Sequence, residues 1–307
     1  MKNLFTTFLL LFAFTYSFSQ INEQDSIVNI KTYWNFGDTK TYRISSVETK
    51  KNGANPTQKE ELSYNINIRV DNIFGDEITM QWIYQDIQFE NDEFINNPLY
   101  LIYSLPVKFV IDKDGRFLRY ENLDLTIQSF IHSSEKIQND FIDDPETLQK
   151  IKDLTKKYAT EENIVKVFEK DIKQYHLFYG NGLFKLNETI VEHKTYMDNL
   201  FTTSPTPAST KISLKDIALS GTNYIVNAKQ VADKEWLSNS WYNYLKKLAT
   251  ELGSEEPNES HKNDDITYTV DTNSRIKDNG WISYSVETKK VIFQDTNFIL
   301  TRKFELM

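Results

Sequence analysis

From Trp34 to Gln88 the apolar residues recur mostly at every second position, the spacing of strands with one buried face. Residues 39–47 alternate toward Tyr42 and Ile44. After a polar loop at residues 50–59, which holds Gly53 and Pro56, Tyr64, Ile66, Ile68 and Val70 alternate more cleanly. Gly75 and Asp76 reverse the chain, and Ile78, Met80 and Trp82 follow. A second hairpin is predicted over residues 107–120. Its turn is Asp112-Lys-Asp-Gly115, with Asp opening a tight reversal and Gly at the left-handed position.

The period then changes. Leu123, Ile127, Phe130, Ser134, Ile137 and Phe141 fall three or four apart, which predicts a helix face. Asp144 and Pro145 form an N-cap and first helical residue, ahead of Leu148, Ile151 and Leu154. Thr160 caps a third helix carrying Ile164, Phe168 and Ile172. This helical insert covers about residues 122–175. Strands resume over 183–196, and a Pro/Thr/Ser stretch at 202–210 reads as a loop before Ile212 and Leu214. Asp233 opens a last helix with Leu237, Trp241, Tyr244, Leu245, Leu248 and Leu252 on one stripe, and Gly253 stops it. Three strands close the pattern, at 266–271, 280–293 and 297–306. Residues 67–80 and 213–226 echo each other as strand, Gly-centred turn and strand, which leaves a two-fold repeat of sheet halves open. A turn like that at 110–115 is also expected at Val270-Asp-Thr-Asn273.

The amino terminus changes the picture most. Lys2, the apolar run from Leu4 to Phe18, and small residues Ser17 and Ser19 ahead of Gln20 read as a signal peptide over residues 1–19. The run is too short for a comfortable membrane span of about 20 apolar residues. The expectation is export to the periplasm or extracellular space after cleavage before Gln20, with no transmembrane span in the mature chain. Residues 20–307 then form a single α+β domain. With no cysteine, thiol chemistry and disulfide staples are excluded, and stability rests on burial. Loss of Lys2 with the leader takes the formal charge from −9 to −10, which argues against a nucleic-acid partner. Aromatic residues are 14% of the chain, enough to build either a Phe/Tyr core or an apolar pocket.

Candidate chemistry is sparse. His132, His176, His193 and His261 show no metal-ligand spacing, and each reads as structural or solvated. Asp112-Lys-Asp-Gly115 lacks the alternating oxygen ligands of a calcium loop, despite Glu121 six residues beyond Gly115. No Gly-x-Ser-x-Gly elbow is present. The adjacent carboxylates, such as Glu60-Glu61 and Asp264-Asp265, lie in polar or cap positions. No catalytic residue, metal or cofactor is assigned.

Gly37-Asp38-Thr39 before the first strand, the Asp114-Gly115 hairpin, the helical insert and a closing hairpin at Tyr268-Thr-Val-Asp271 resemble a group of exported Bacteroidota proteins of unknown function. The resemblance spans nearly the whole mature chain but rests on turn motifs, and it brings no catalytic residues. Curved antiparallel sheets covered by helices are also similar to periplasmic lipoprotein carriers. The fold expected is α+β, a curved antiparallel sheet or half-barrel packed against helices. The function expected is non-enzymatic binding of an apolar ligand or lipidated partner, with Trp82, Tyr84, Trp236, Trp241 and Trp281 as candidate lining residues. The alternatives are an envelope protein–protein interaction or structural component, and, further off, a hydrolase.

Overall fold

The structure, a computed structural model, describes residues 21–22, 26–55, 57–89, 101, 105–202, 204–218 and 220–307. The leader expected at residues 1–19 and the cleavage point before Gln20 lie outside them. No helix among the described residues is long and apolar enough to cross a membrane.

The period-two segments form strands β3 (Thr39–Asn52), β4 (Gln58–Phe74), β5 (Glu77–Phe89), β6 (Leu105–Asp112) and β7 (Phe117–Glu121). Three helices follow, α1 (Leu123–Asp140), α2 (Pro145–Tyr158) and α3 (Glu161–His176). The chain returns to strands at β8 (Leu183–Lys185), β9 (Thr189–Met197), β10 (Thr206–Ile217) and β11 (Asn223–Ala232). Helix α4 (Lys234–Leu252) and a 3-10 turn at Glu259–Asn263 lead into β12 (Ile266–Lys277), β13 (Ile282–Phe293) and β14 (Thr296–Leu306). Two short strands, β1 (Ile21–Asn22) and β2 (Ile27–Asn29), join β8 in a small separate sheet.

The main sheet has eleven antiparallel strands in the order β7-β6-β5-β4-β3-β14-β13-β12-β11-β10-β9. It is curved and does not close into a barrel, so the fold is α+β as the pattern implied. Two meanders run outward from the centre, where β3 pairs with β14 from Tyr42–Leu306 to Asn52–Thr296. The helical insert connects β7 at one edge to the segment leading to β9 at the other.

Local chemistry accounts for the element ends. The Asp144 carboxylate accepts from Thr147 N at 3.2 Å, the Thr160 hydroxyl from Asn163 N at 3.4 Å and the Asp233 carboxylate from Trp236 N at 2.7 Å. Gly253 ends α4 at φ 63°. In the β6–β7 turn one Asp112 oxygen accepts from the Asp114 and Arg116 amides, each at 2.9 Å.

Three expectations are corrected. Residues 268–273 make no turn; they lie inside β12, paired on both sides, and the reversal falls at Asp278–Gly280, where Gly280 supplies φ 83°. Residues 206–210 are strand rather than loop. Pro207 is tolerated there beside edge strand β9, next to a register shift at residues 208–210. Leu252 is not part of a buried stripe on α4, being 77% exposed in the final turn, while Ser238, Ser240 and Tyr242 are buried.

Candidate functional site

The inner face of the sheet can be read from its register, because directly paired residues share a face. Helix α3 lies against this face and buries Ile164, Val167, Phe168, Ile172 and Tyr175, together with three polar residues, Asp171, Gln174 and His176. The apolar ones join Ile44, Ile66, Ile68, Trp82, Phe109 and Phe304 in one large core. A second, smaller core beneath α4 contains Met197, Ala208, Leu237, Ile266 and Tyr268, with Trp241, Val291 and Phe293 packed against it.

The polar residues of α3 dock on the sheet through a buried network. Asp171 accepts from the Tyr64 hydroxyl at 2.8 Å and the Tyr84 hydroxyl at 3.2 Å, and its other oxygen lies 3.7 Å from Arg302 Nε. Arg302 Nε donates to Gln174 Oε1 at 2.6 Å, and its Nη2 donates to Glu287 at 2.8 Å and the Lys170 carbonyl at 3.0 Å. Gln174 in turn donates to Ser285 Oγ at 3.1 Å. Burial pushes the Asp171 carboxyl up, opposed by the Arg302 charge and the two tyrosine hydroxyls. The same burial raises the Tyr64 and Tyr84 phenols well above their ordinary range, so both remain donors.

Next to this network His176 sits in an aromatic cage of Trp34, Trp82, Phe109, Tyr175 and Tyr179, with ring centroids 5.1–6.4 Å away. Its Nδ1 lies 2.9 Å from the Gly115 carbonyl, and its Nε2 has no hydrogen-bond partner. Burial holds its pKa down to about 4, so the ring is neutral at pH 7. The outer edge of α3 and strand β7 enclose a recess of about 260 Å³ lined by Arg116, Phe117, Tyr120, Glu169, Ile172, Lys173 and His176.

Between the two cores, β13, β14 and β3 carry a half-buried strip, the saddle, on the inner face. Leu300 pairs with Lys289 on one side and Glu48 on the other, and Phe298 pairs with Val291 and Lys50. Leu300 and Phe298 are half-buried and belong to neither core, Val291 is half-buried and packs against the second core, and Lys289 and Glu48 are half-buried beside them. The Lys289 ammonium lies 4.9 Å from the Tyr268 ring centroid, a cation–π contact. Burial pushes the Lys289 pKa down, opposed by Asp198. Glu48 is pushed up by burial and then by Glu60, its direct cross-strand neighbour.

The five residues singled out from the sequence do not converge. Trp82 and Tyr84 are fully enclosed under α3, and Trp281 stacks on Trp34 at 4.4 Å near the turn end of the same core. Trp241 belongs to the second core, 4.9 Å from Phe293, with its Nε1 donating to Asp264 at 2.9 Å. Trp236 is half-buried in the first turn of α4. Asp171, Arg302 and Lys289 are not among the residues that the sequence pattern singles out, and the spacing of His176 predicts only a structural or solvated role. A signal existed for the first two: Asp171 interrupts the apolar spacing from Phe168 to Tyr175, and Arg302 falls on the inward alternation with Phe304. Among the described residues no group of three or more His, Asp or Glu side chains is placed to hold a metal.

Comparison with known proteins gives no family. No protein-family model matches the chain, and no curated protein matches it. Among solved structures, lipovitellin, described for its lipid–protein interactions, is similar over 89% of this chain at 11% identity and a TM-score of 0.46, and the match spans 25% of lipovitellin. DynF from the dynemicin biosynthesis pathway of Micromonospora chersina matches at 5% identity and a TM-score of 0.21, over 95% of this chain and 90% of its own. An outer membrane channel from Pseudomonas putida F1 matches at 6% identity and 0.16, over 91% and 98%. These likenesses are too distant to say what this chain binds.

Proposed function

We propose that the chain is a non-enzymatic binding protein that holds an apolar molecule, or the lipid tail of a partner, in the saddle between its two cores. The observation that carries this reading is the half-buried inner surface of Leu300 and Phe298, which belong to neither core and adjoin the second one through Val291. Ligand sites of this kind combine apolar walls with a few polar groups that fix orientation, and Lys289 and Glu48 supply those groups. The leader expected at residues 1–19 supports this reading, since an exported carrier would shelter an apolar cargo from water.

Two measurements test the reading. Native mass spectrometry of the exported protein, followed by solvent extraction, should find a lipid-sized adduct on a chain beginning at Gln20. An apolar fluorophore should bind saturably, and Leu300→Glu should weaken it by about tenfold or more while unfolding shifts little, because Leu300 is only half-buried. A clean apo mass together with non-saturable fluorophore uptake would refute the proposal and favour a protein partner.

A further inference from the structure

We propose that the recess between α3 and edge strand β7 is a separate binding site for a small, neutral, planar molecule carrying an N–H or O–H donor. This site does not depend on the reading of the saddle. Its walls are Phe117, Tyr120 and Ile172, with His176 at the back, and its volume of about 260 Å³ suits a ligand of one or two rings. Phe117 and Tyr120 stand 4.7 Å apart at 57°, and Phe168 meets Tyr120 edge-on at 5.4 Å. A further aromatic ring can join such tilted arrangements by presenting its edge or offset face.

The donor requirement comes from His176. A carbonyl oxygen only accepts, so the 2.9 Å contact with Gly115 puts the proton on Nδ1. In the neutral ring Nε2 is then a bare acceptor, and no donor reaches it among the described residues. A buried acceptor left without a donor is costly, so a ligand that supplies one gains more than its apolar contact area gives. Nε2 is itself buried, so a ligand in the recess meets it only after the lining shifts; Phe117, 37% exposed, is the least buried ring of that lining.

Neutrality follows from the rim. Arg116 Nε is held by Asp112 at 2.8 Å, with Asp114 3.9 Å from its Nη2, and Lys173 is held by Glu169 at 2.7 Å. Both cations are already matched, so the recess has no uncompensated charge to offer an anion. Phenol and indole carry the required chemistry.

The test titrates the full chain with phenol against toluene and with indole against indene, pairs of similar shape that differ in the donor. Binding is followed by NMR of the His176 ring nitrogens. The donor-bearing member of each pair should bind about tenfold tighter and move the Nε2 resonance. His176→Phe should keep the aromatic cage and abolish that preference. Should His176→Phe fail to fold, the paired comparison on the unaltered protein decides alone. Equal binding within the pairs, no saturable binding, or binding that leaves Nε2 unmoved would overturn the proposal.

Discussion

At the scale of single residues, a few buried polar groups have partners that are far apart in the chain. Unfolded histidine takes a proton near pH 6.5, whereas burial holds His176 down to about 4. Over that window the folded state binds fewer protons than the unfolded state. The contribution is therefore fully present above pH 6.5 and is lost as pH falls toward 4, by about 3 kcal/mol in total. Urea unfolding between pH 7 and 4 should show this decline, and His176→Phe should flatten it; Asp171, shifted upward, acts in the opposite sense near the bottom of the range. Arg302→Met should cost about 3–5 kcal/mol, since it leaves Asp171 and Glu287 without their buried counter-charge. Adding Asp171→Asn should recover part of that loss in the same unfolding assay, whereas additive losses would show the two are not coupled. None of these partnerships was legible in the sequence. Gln174 and Arg302 meet across 128 residues, and no local pattern encodes such a distance.

At the scale of elements the sequence was far more readable, because caps and turns are closed by side chains three or four residues away. Asp144, Thr160, Asp233 and Gly253 all end helices where the chain pattern put them. Turn chemistry misled at residues 270–273: Asp271 and Asn273 are turn formers, but both sides of the segment are paired, to β11 and β13, and it continues as strand. The β6–β7 turn shows how a local motif acquires a tertiary role. Gly115 sits at φ 87°, its carbonyl faces His176, and a Cβ added to it would stand 2.6 Å from the Tyr179 ring. Gly115→Ala should therefore destabilise the protein by about 2 kcal/mol or more, and should shift the His176 ring resonances as the turn withdraws. An unchanged melting temperature with unchanged His176 signals would show that the turn and the α3 cage are independent.

At the scale of the whole molecule, alternation and helical spacing revealed the class of fold and the insert but not the saddle. Two meanders meet at the β3–β14 pairing; the larger core spans strands of both, while the smaller core lies under α4, and the surface falls between these two cores. The seam also sets the order of assembly. Hairpins within each meander close short loops, whereas Thr49 must find Ile299 across 250 residues. Refolding should therefore be slow in its last phase, with two preformed half-sheets each waiting on an unpaired edge. Such an edge can pair with the complementary strand of another copy as readily as with its own. Diluting refolding samples should speed the approach to monomer and remove an exchange dimer, detectable by size-exclusion chromatography; a final phase that yields monomer alone at every concentration would show that the seam closes before the halves can be shared.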